Sequence, residues 1–73
     1  MTNKIEFEYY RKRAGLSRKD VADYLGFSEA TLGDRILNKS IFRSNEIAKL
    51  IVLLKINTME ELKRIFFDEV VEN

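Results

Sequence analysis

The strongest constraint in this sequence is one local pattern written twice. Leu16 and Ser17 are followed by Asp20 and Val21, and Phe27 and Ser28 are followed at the same spacing by Thr31 and Leu32. Each unit sets an apolar residue before a hydroxyl that accepts a hydrogen bond from the first helical turn, then an apolar partner that staples the entering chain. In the first unit Asp20 also reaches back to complete a capping box. Gly26 lies between the units and supplies the positive φ that ends one helix and admits the next. The pattern predicts two short helices joined by a tight turn.

The same punctuation divides the rest of the chain. A first helix is expected over 4–14, with Phe7, Tyr10 and Ala14 on one face and Gly15 as its left-handed stop. The second buries Val21, Ala22 and Leu25; the third starts at Ser28 and buries Leu32 and Ile36. A loop over 38–43 carries Phe42 as an anchor, and Ser44 is expected to cap a fourth helix. Ile47, Leu50, Ile51 and Leu54 make that helix the most apolar, with Ile56 closing the core behind it. Thr58 and Glu61 form the capping box of a C-terminal helix over 58–71, whose inward residues are Met59, Leu62, Ile65 and Phe66. Phe67, Val70 and Val71 widen its apolar surface, either to wrap over the core or to meet a dimer mate or partner. For 73 residues, 45% hydrophobic and without proline, the expectation is one domain over 1–73. Its fold class is all-α, a compact bundle of about five short helices.

Composition removes whole classes of function. With neither cysteine nor histidine, disulfides, the usual zinc, copper and haem ligands and the commonest general base are all missing. No cofactor, no metal and no enzymatic activity are expected. Glu60 and Glu61 are adjacent on a helix and cannot face each other as a catalytic pair, and the three glycines are too scattered to cradle a phosphate. No run approaches the length of a membrane span, and the start lacks an apolar leader, so a cytoplasmic protein is expected, with no membrane and no small-molecule substrate. The net charge is +1, yet residues 1–43 carry nine basic and six acidic groups against four and six over 44–73. The basic side of the molecule therefore lies in its first half, where Arg11, Lys12 and Arg13 form either a phosphate clamp or a solvated helix face.

Ala22, Gly26 and Leu32 share the spacing of a helix-turn-helix unit, here over 17–37. The small residue lets the second helix cross closely, the glycine makes the turn, and the leucine pins the two helices together. Over roughly residues 5–56 the chain resembles the phage-repressor group of helix-turn-helix proteins, the Cro/CI-like or XRE type. The resemblance rests on Tyr10 and Arg11, on Gly15-Leu16-Ser17, on the run Asp20-Val21-Ala22-Asp23-Tyr24-Leu25-Gly26-Phe27-Ser28, and on Thr31-Leu32. Asn38-Lys39-Ser40-Ile41-Phe42, Glu46-Ile47 and Ile65-Phe66-Phe67 look like the small regulators of temperate phages and prophages of Gram-positive bacteria. They are also similar to phage modulator-of-repression proteins.

This resemblance implies a regulator of the lysis–lysogeny switch in a bacterial host cell, with the helix from Ser28 in the major groove of operator DNA and the helix from Ser17 across the backbone. Carried onto this sequence, Arg18, Ser28, Thr31 and Arg35 would lie near bases and Lys19, Lys39 and Arg43 near phosphates. Glu29 would accept from cytosine. A homodimer would cover two half-sites about 34 Å apart. The alternative is an antirepressor that binds a phage CI-type repressor and occludes its DNA-reading helix. Glu29 and Asp34 on the recognition face, Arg35 reaching outward, and the apolar Phe67, Val70 and Val71 would make that contact. In either case far-UV circular dichroism should be helical, and EDTA or a reductant should leave the melting temperature unchanged; a strand-dominated spectrum or a chelator-dependent melt would refute this reading.

Overall fold

In a computed structural model, which describes residues 1–69, the chain forms five helices: α1 (Lys4–Arg13), α2 (Arg18–Leu25), α3 (Glu29–Ile36), α4 (Ser44–Leu53) and α5 (Met59–Phe66). No strand occurs among the described residues. The two repeated caps form as the spacing requires. Ser17 accepts from the Asp20 N–H at 3.0 Å while the Asp20 carboxylate accepts from the Ser17 N–H at 2.9 Å. Gly26 adopts φ +74°, and the Phe27 N–H then bonds the Ala22 carbonyl at 2.8 Å, closing the turn into α3.

Packing places α2 on α3, α1 on α5 and α2 on α4. The core joins Phe7 and Tyr10 of α1, Val21, Ala22 and Leu25 of α2, and Leu32 and Ile36 of α3 to Leu50, Leu54, Ile56, Ile65 and Phe66. Phe42 is the loop anchor its position implied. Its ring stacks on Phe7 at 5.9 Å and meets the Phe66 edge at 5.5 Å, so the chain after α3 is held between the two terminal helices.

Three local expectations are corrected. Ser44 is the first helical residue of α4, and Arg43 occupies the cap position instead, its N–H donating to the Glu46 carboxylate at 2.8 Å. Met59, expected inward, is 64% exposed, because it stands at the first position of α5, outside the stripe of Ile65 and Phe66. The helix expected over 58–71 stops at Phe66. Beyond it the chain turns to the N-terminal segment: the Asp68 N–H bonds the Met1 carbonyl at 3.1 Å, and the Asp68 carboxylate accepts from Asn3 Nδ2 at 2.8 Å. Val70 and Val71 lie outside the described residues.

That N-terminal segment is tied down twice more. The Asn3 N–H bonds the Ile65 carbonyl at 2.7 Å, and the Asn3 side chain caps α1. Asn38, left-handed at φ +63° just after α3, clasps the backbone of Thr2, accepting from its N–H at 2.8 Å and donating to its carbonyl at 2.9 Å. On the opposite flank, Arg13 lies over the Tyr10 ring and donates to the Leu54 and Lys55 carbonyls at the end of α4.

Glu61 is the electrostatic hub of α5. The Asn57 N–H, the Tyr10 hydroxyl at 2.8 Å and the Thr58 N–H together hold its carboxyl at about 2, against an ordinary value of 4.5. The unfolded chain therefore takes up this proton first as pH falls. The stabilisation is fully present above the unfolded value of 4.5 and is lost as pH falls from there towards about 2. Urea midpoints of the parent should drop relative to those of Glu61→Gln across that window, whereas parallel acid limbs would show that Glu61 is not held by these donors.

Candidate functional site

The surface that a helix-turn-helix presents to a target is the outer side of α3 with the start of α2. Leu32 and Ile36 turn into the core and leave Ser28, Glu29, Ala30 and Asp34 exposed, with Thr31 and Gly33 at the margin. Ser28 sits at the cap of α3 in extended conformation. Its Oγ accepts from the Thr31 N–H at 3.1 Å and donates to Thr31 Oγ1 at 2.9 Å, so each hydroxyl is already engaged by the other. A Cβ at Gly33 would meet nothing within 4 Å. This glycine is therefore not demanded by close packing, and it lowers the helical propensity of α3 by about 1 kcal/mol.

Charge on this surface is distributed differently from the expectation. Arg35 does not reach outward. Its Nε lies 3.3 Å from Glu46 Oε1, its Nη1 donates to Ser40 Oγ at 2.8 Å, and its guanidinium lies 5.0 Å from the centre of the Phe27 ring. The side chains of Arg35 and Glu46 are only 15% and 10% exposed. The physical reason is its position three residues after Leu32 and beside Ile36. It stands at the edge of the buried face, where an aromatic ring, a hydroxyl and a carboxylate converge. Burial raises the Glu46 carboxyl, but the Arg43 N–H and the Arg35 guanidinium outweigh it and hold the group below the usual carboxylate range.

Arg18 opens α2, where its guanidinium is ion-paired with Glu8 of α1, the Nε at 2.8 Å. Arg11 binds the same carboxylate at 2.6 Å and the Leu16 carbonyl at 2.6 Å. Burial pushes the Glu8 carboxyl up, and these two arginines more than reverse the effect. Lys19 is paired with Asp23 one turn on, at 2.9 Å, both side chains in solvent. Lys39 and Arg43 are exposed beyond the end of α3. Among the residues assigned to base or phosphate contact, Ser28, Glu29 and Thr31 thus share one helical turn. Arg18 and Lys19 flank it with their charges engaged, Lys39 and Arg43 stand at the far end, and Arg35 is withdrawn.

Phe67, assigned to partner contact, is 54% exposed. It lines an apolar groove of about 300 Å³ with Met1, Ile41, Phe42, Ile47 and Phe66. Asn38, Glu46 and Glu8 carry the geometry around the recognition helix; Asn38 and Glu46 entered the sequence reading only as part of the family resemblance, and Glu8 not at all. An asparagine just past a helix end is a left-handed cap signal and could have marked Asn38. Glu8 reaches Arg18 ten residues on and Glu46 reaches Arg35 eleven residues back, and no local spacing announces those two pairings.

Two short capped helices joined by a left-handed glycine, the second presenting a polar outer face, define the class of helix-turn-helix proteins. A helix-turn-helix family model matches residues 7–62. The chain belongs to this XRE-type family of DNA-binding transcription regulators, which is not a family of enzymes. No curated protein and no solved structure is significantly similar to the chain. No helix among the described residues is long and apolar enough to cross a membrane.

The cap geometry sets a direct check on α3. Ser28→Ala should cost about 0.5–2 kcal/mol of stability in urea denaturation, and an unchanged midpoint would place the start of α3 elsewhere.

Proposed function

We propose that the protein is a cytoplasmic phage regulator of the lysis–lysogeny switch that acts as an antirepressor, its helix-turn-helix face binding the basic DNA-reading surface of a CI-type repressor. The observation that carries this reading is the sign of the α3 face. Glu29 and Asp34 stand in solvent, while Arg35, the one cation within α3, is committed to Glu46 and Ser40. The neighbouring cations do not reverse the balance, since Arg18 is paired with Glu8 and Lys19 with Asp23. DNA affinity rests largely on cations that displace counterions from phosphate, and a face with two exposed carboxylates repels that polyanion. The same face complements a protein surface built to bind DNA.

A Cro-like repressor acting at operator DNA is the second reading. It is favoured by family membership and by the exposed Lys39 and Arg43, which stand where phosphate contacts would flank α3. In that case a homodimer spans two half-sites, with Ser28, Thr31 and Glu29 nearest the bases.

The double variant Glu29→Lys with Asp34→Lys separates the two. Under the antirepressor reading it weakens association with a purified CI-type repressor and strengthens binding to duplex DNA, with a salt slope steeper by roughly two. Repressor affinity left intact while sequence-selective operator binding collapses would assign these acids to base reading and establish the Cro-like mechanism instead.

A further inference from the structure

Within α3 the sequence supplies one cation, Arg35, and two acids, Glu29 and Asp34. Whether the guanidinium faces the target or the core decides the character of the whole face, because arginine is the side chain best suited to guanine and phosphate. We infer that Glu46 of α4 is a specificity-determining residue of the recognition surface: it holds Arg35 inside the fold and thereby keeps the α3 face acidic.

The carboxylate is well placed for this. It is fixed at the start of α4, where Oε1 accepts the Arg43 N–H at 2.8 Å, so it is not a mobile acid at the rim. The same oxygen lies 3.3 Å from Arg35 Nε, and Glu46 is itself buried. Ser40 and the Phe27 ring supply the remaining contacts, but neither carries charge. Without the carboxylate, a guanidinium that is 15% exposed loses its neutralising partner. A buried charge without a partner is strongly disfavoured, and the long arginine side chain has solvent within reach along the face of α3. Glu46 thus acts at a distance from the target, as a positioning residue for a charge that is kept away from it.

The repressor arm of the test rests on the proposed function; the other arms do not. Glu46→Gln is the variant of choice, because its amide oxygen still accepts from the Arg43 N–H and keeps the cap of α4. Three measurements are expected to move together. The Arg35 Nε–H resonance, slow to exchange with solvent in the parent, becomes fast. Binding to a short duplex of random sequence strengthens, with a salt slope steeper by about one. Affinity for a CI-type repressor falls. In Glu46→Gln with Arg35→Gln the gain in DNA binding should disappear, since the exposed guanidinium is its source.

An Nε–H that stays protected in Glu46→Gln overturns the inference, as does a DNA gain that survives removal of Arg35. If Glu46→Gln fails to fold, Arg35→Gln alone decides: unchanged DNA binding supports the withdrawn guanidinium, and a loss of DNA binding overturns it. A parent that binds no CI-type repressor defeats the proposed function, while the exchange and DNA measurements still judge Glu46.

Discussion

Each helix of this protein is eight or ten residues long, too short to persist alone in water. The fold therefore depends on satisfying the backbone groups that such helices leave open at their ends. Asn3, Ser17, Ser28 and Thr58 do so with their side chains, and Glu46 does so for α4 by binding the N–H of the residue before it. At the other ends Gly15, Gly26, Asn38 and Lys55 turn left-handed, and Arg13 covers the carbonyls that close α4. The hydrophobic core then assembles elements whose ends are already closed.

The recognition surface inherits this economy. Glu46 caps α4 and neutralises Arg35 with one oxygen. Glu8 similarly gathers Arg11 and Arg18, joining α1 to the beginning of α2. Both pairings tie a helix of the helix-turn-helix to a neighbouring helix, and both neutralise positive charge beside the surface that a helix-turn-helix offers to its target. A scaffold shared with DNA-binding regulators thus carries two exposed carboxylates on α3, with the exposed cations Lys39 and Arg43 beyond its end.

How much of this was legible in the sequence follows from the range of each interaction. Ser17 with Asp20, Ser28 with Thr31, and Thr58 with Glu61 act over three residues, and the structure contains all three. Gly26 and the buried Val21, Ala22, Leu25, Leu32 and Ile36 were legible for the same reason. Arg35 was read as outward because periodicity says which residues leave the core but not which partners wait at its edge. Ser44 looked like a cap because its hydroxyl is the usual group, whereas a carboxylate three residues past Arg43 does that work. The helix through 58–71 was read too long because the bond from Asp68 to Met1 joins opposite ends of the chain, which no local window contains. Of the candidate site, the turn and the exposed acids could be read directly, and the engagement of its cations could not.

The clasp of Asn38 on Thr2, with the bonds from Asn3 to Ile65 and from Asp68 to Met1, bears on how the chain reaches its native state. These contacts close loops of 36 residues and of nearly the whole chain, and loop closure of that range comes late because its entropy must be overcome before the contacts form. The caps and turn of α2 and α3 need only near neighbours. During synthesis on the ribosome, Met1 and Asn3 must wait for the residues of and just after α5 before they find these partners, whereas the helix-turn-helix is complete in sequence by Leu37. Its recognition element can take shape early, and the contacts of residues 1–3 with Asn38, Ile65 and Asp68 then lock it in place.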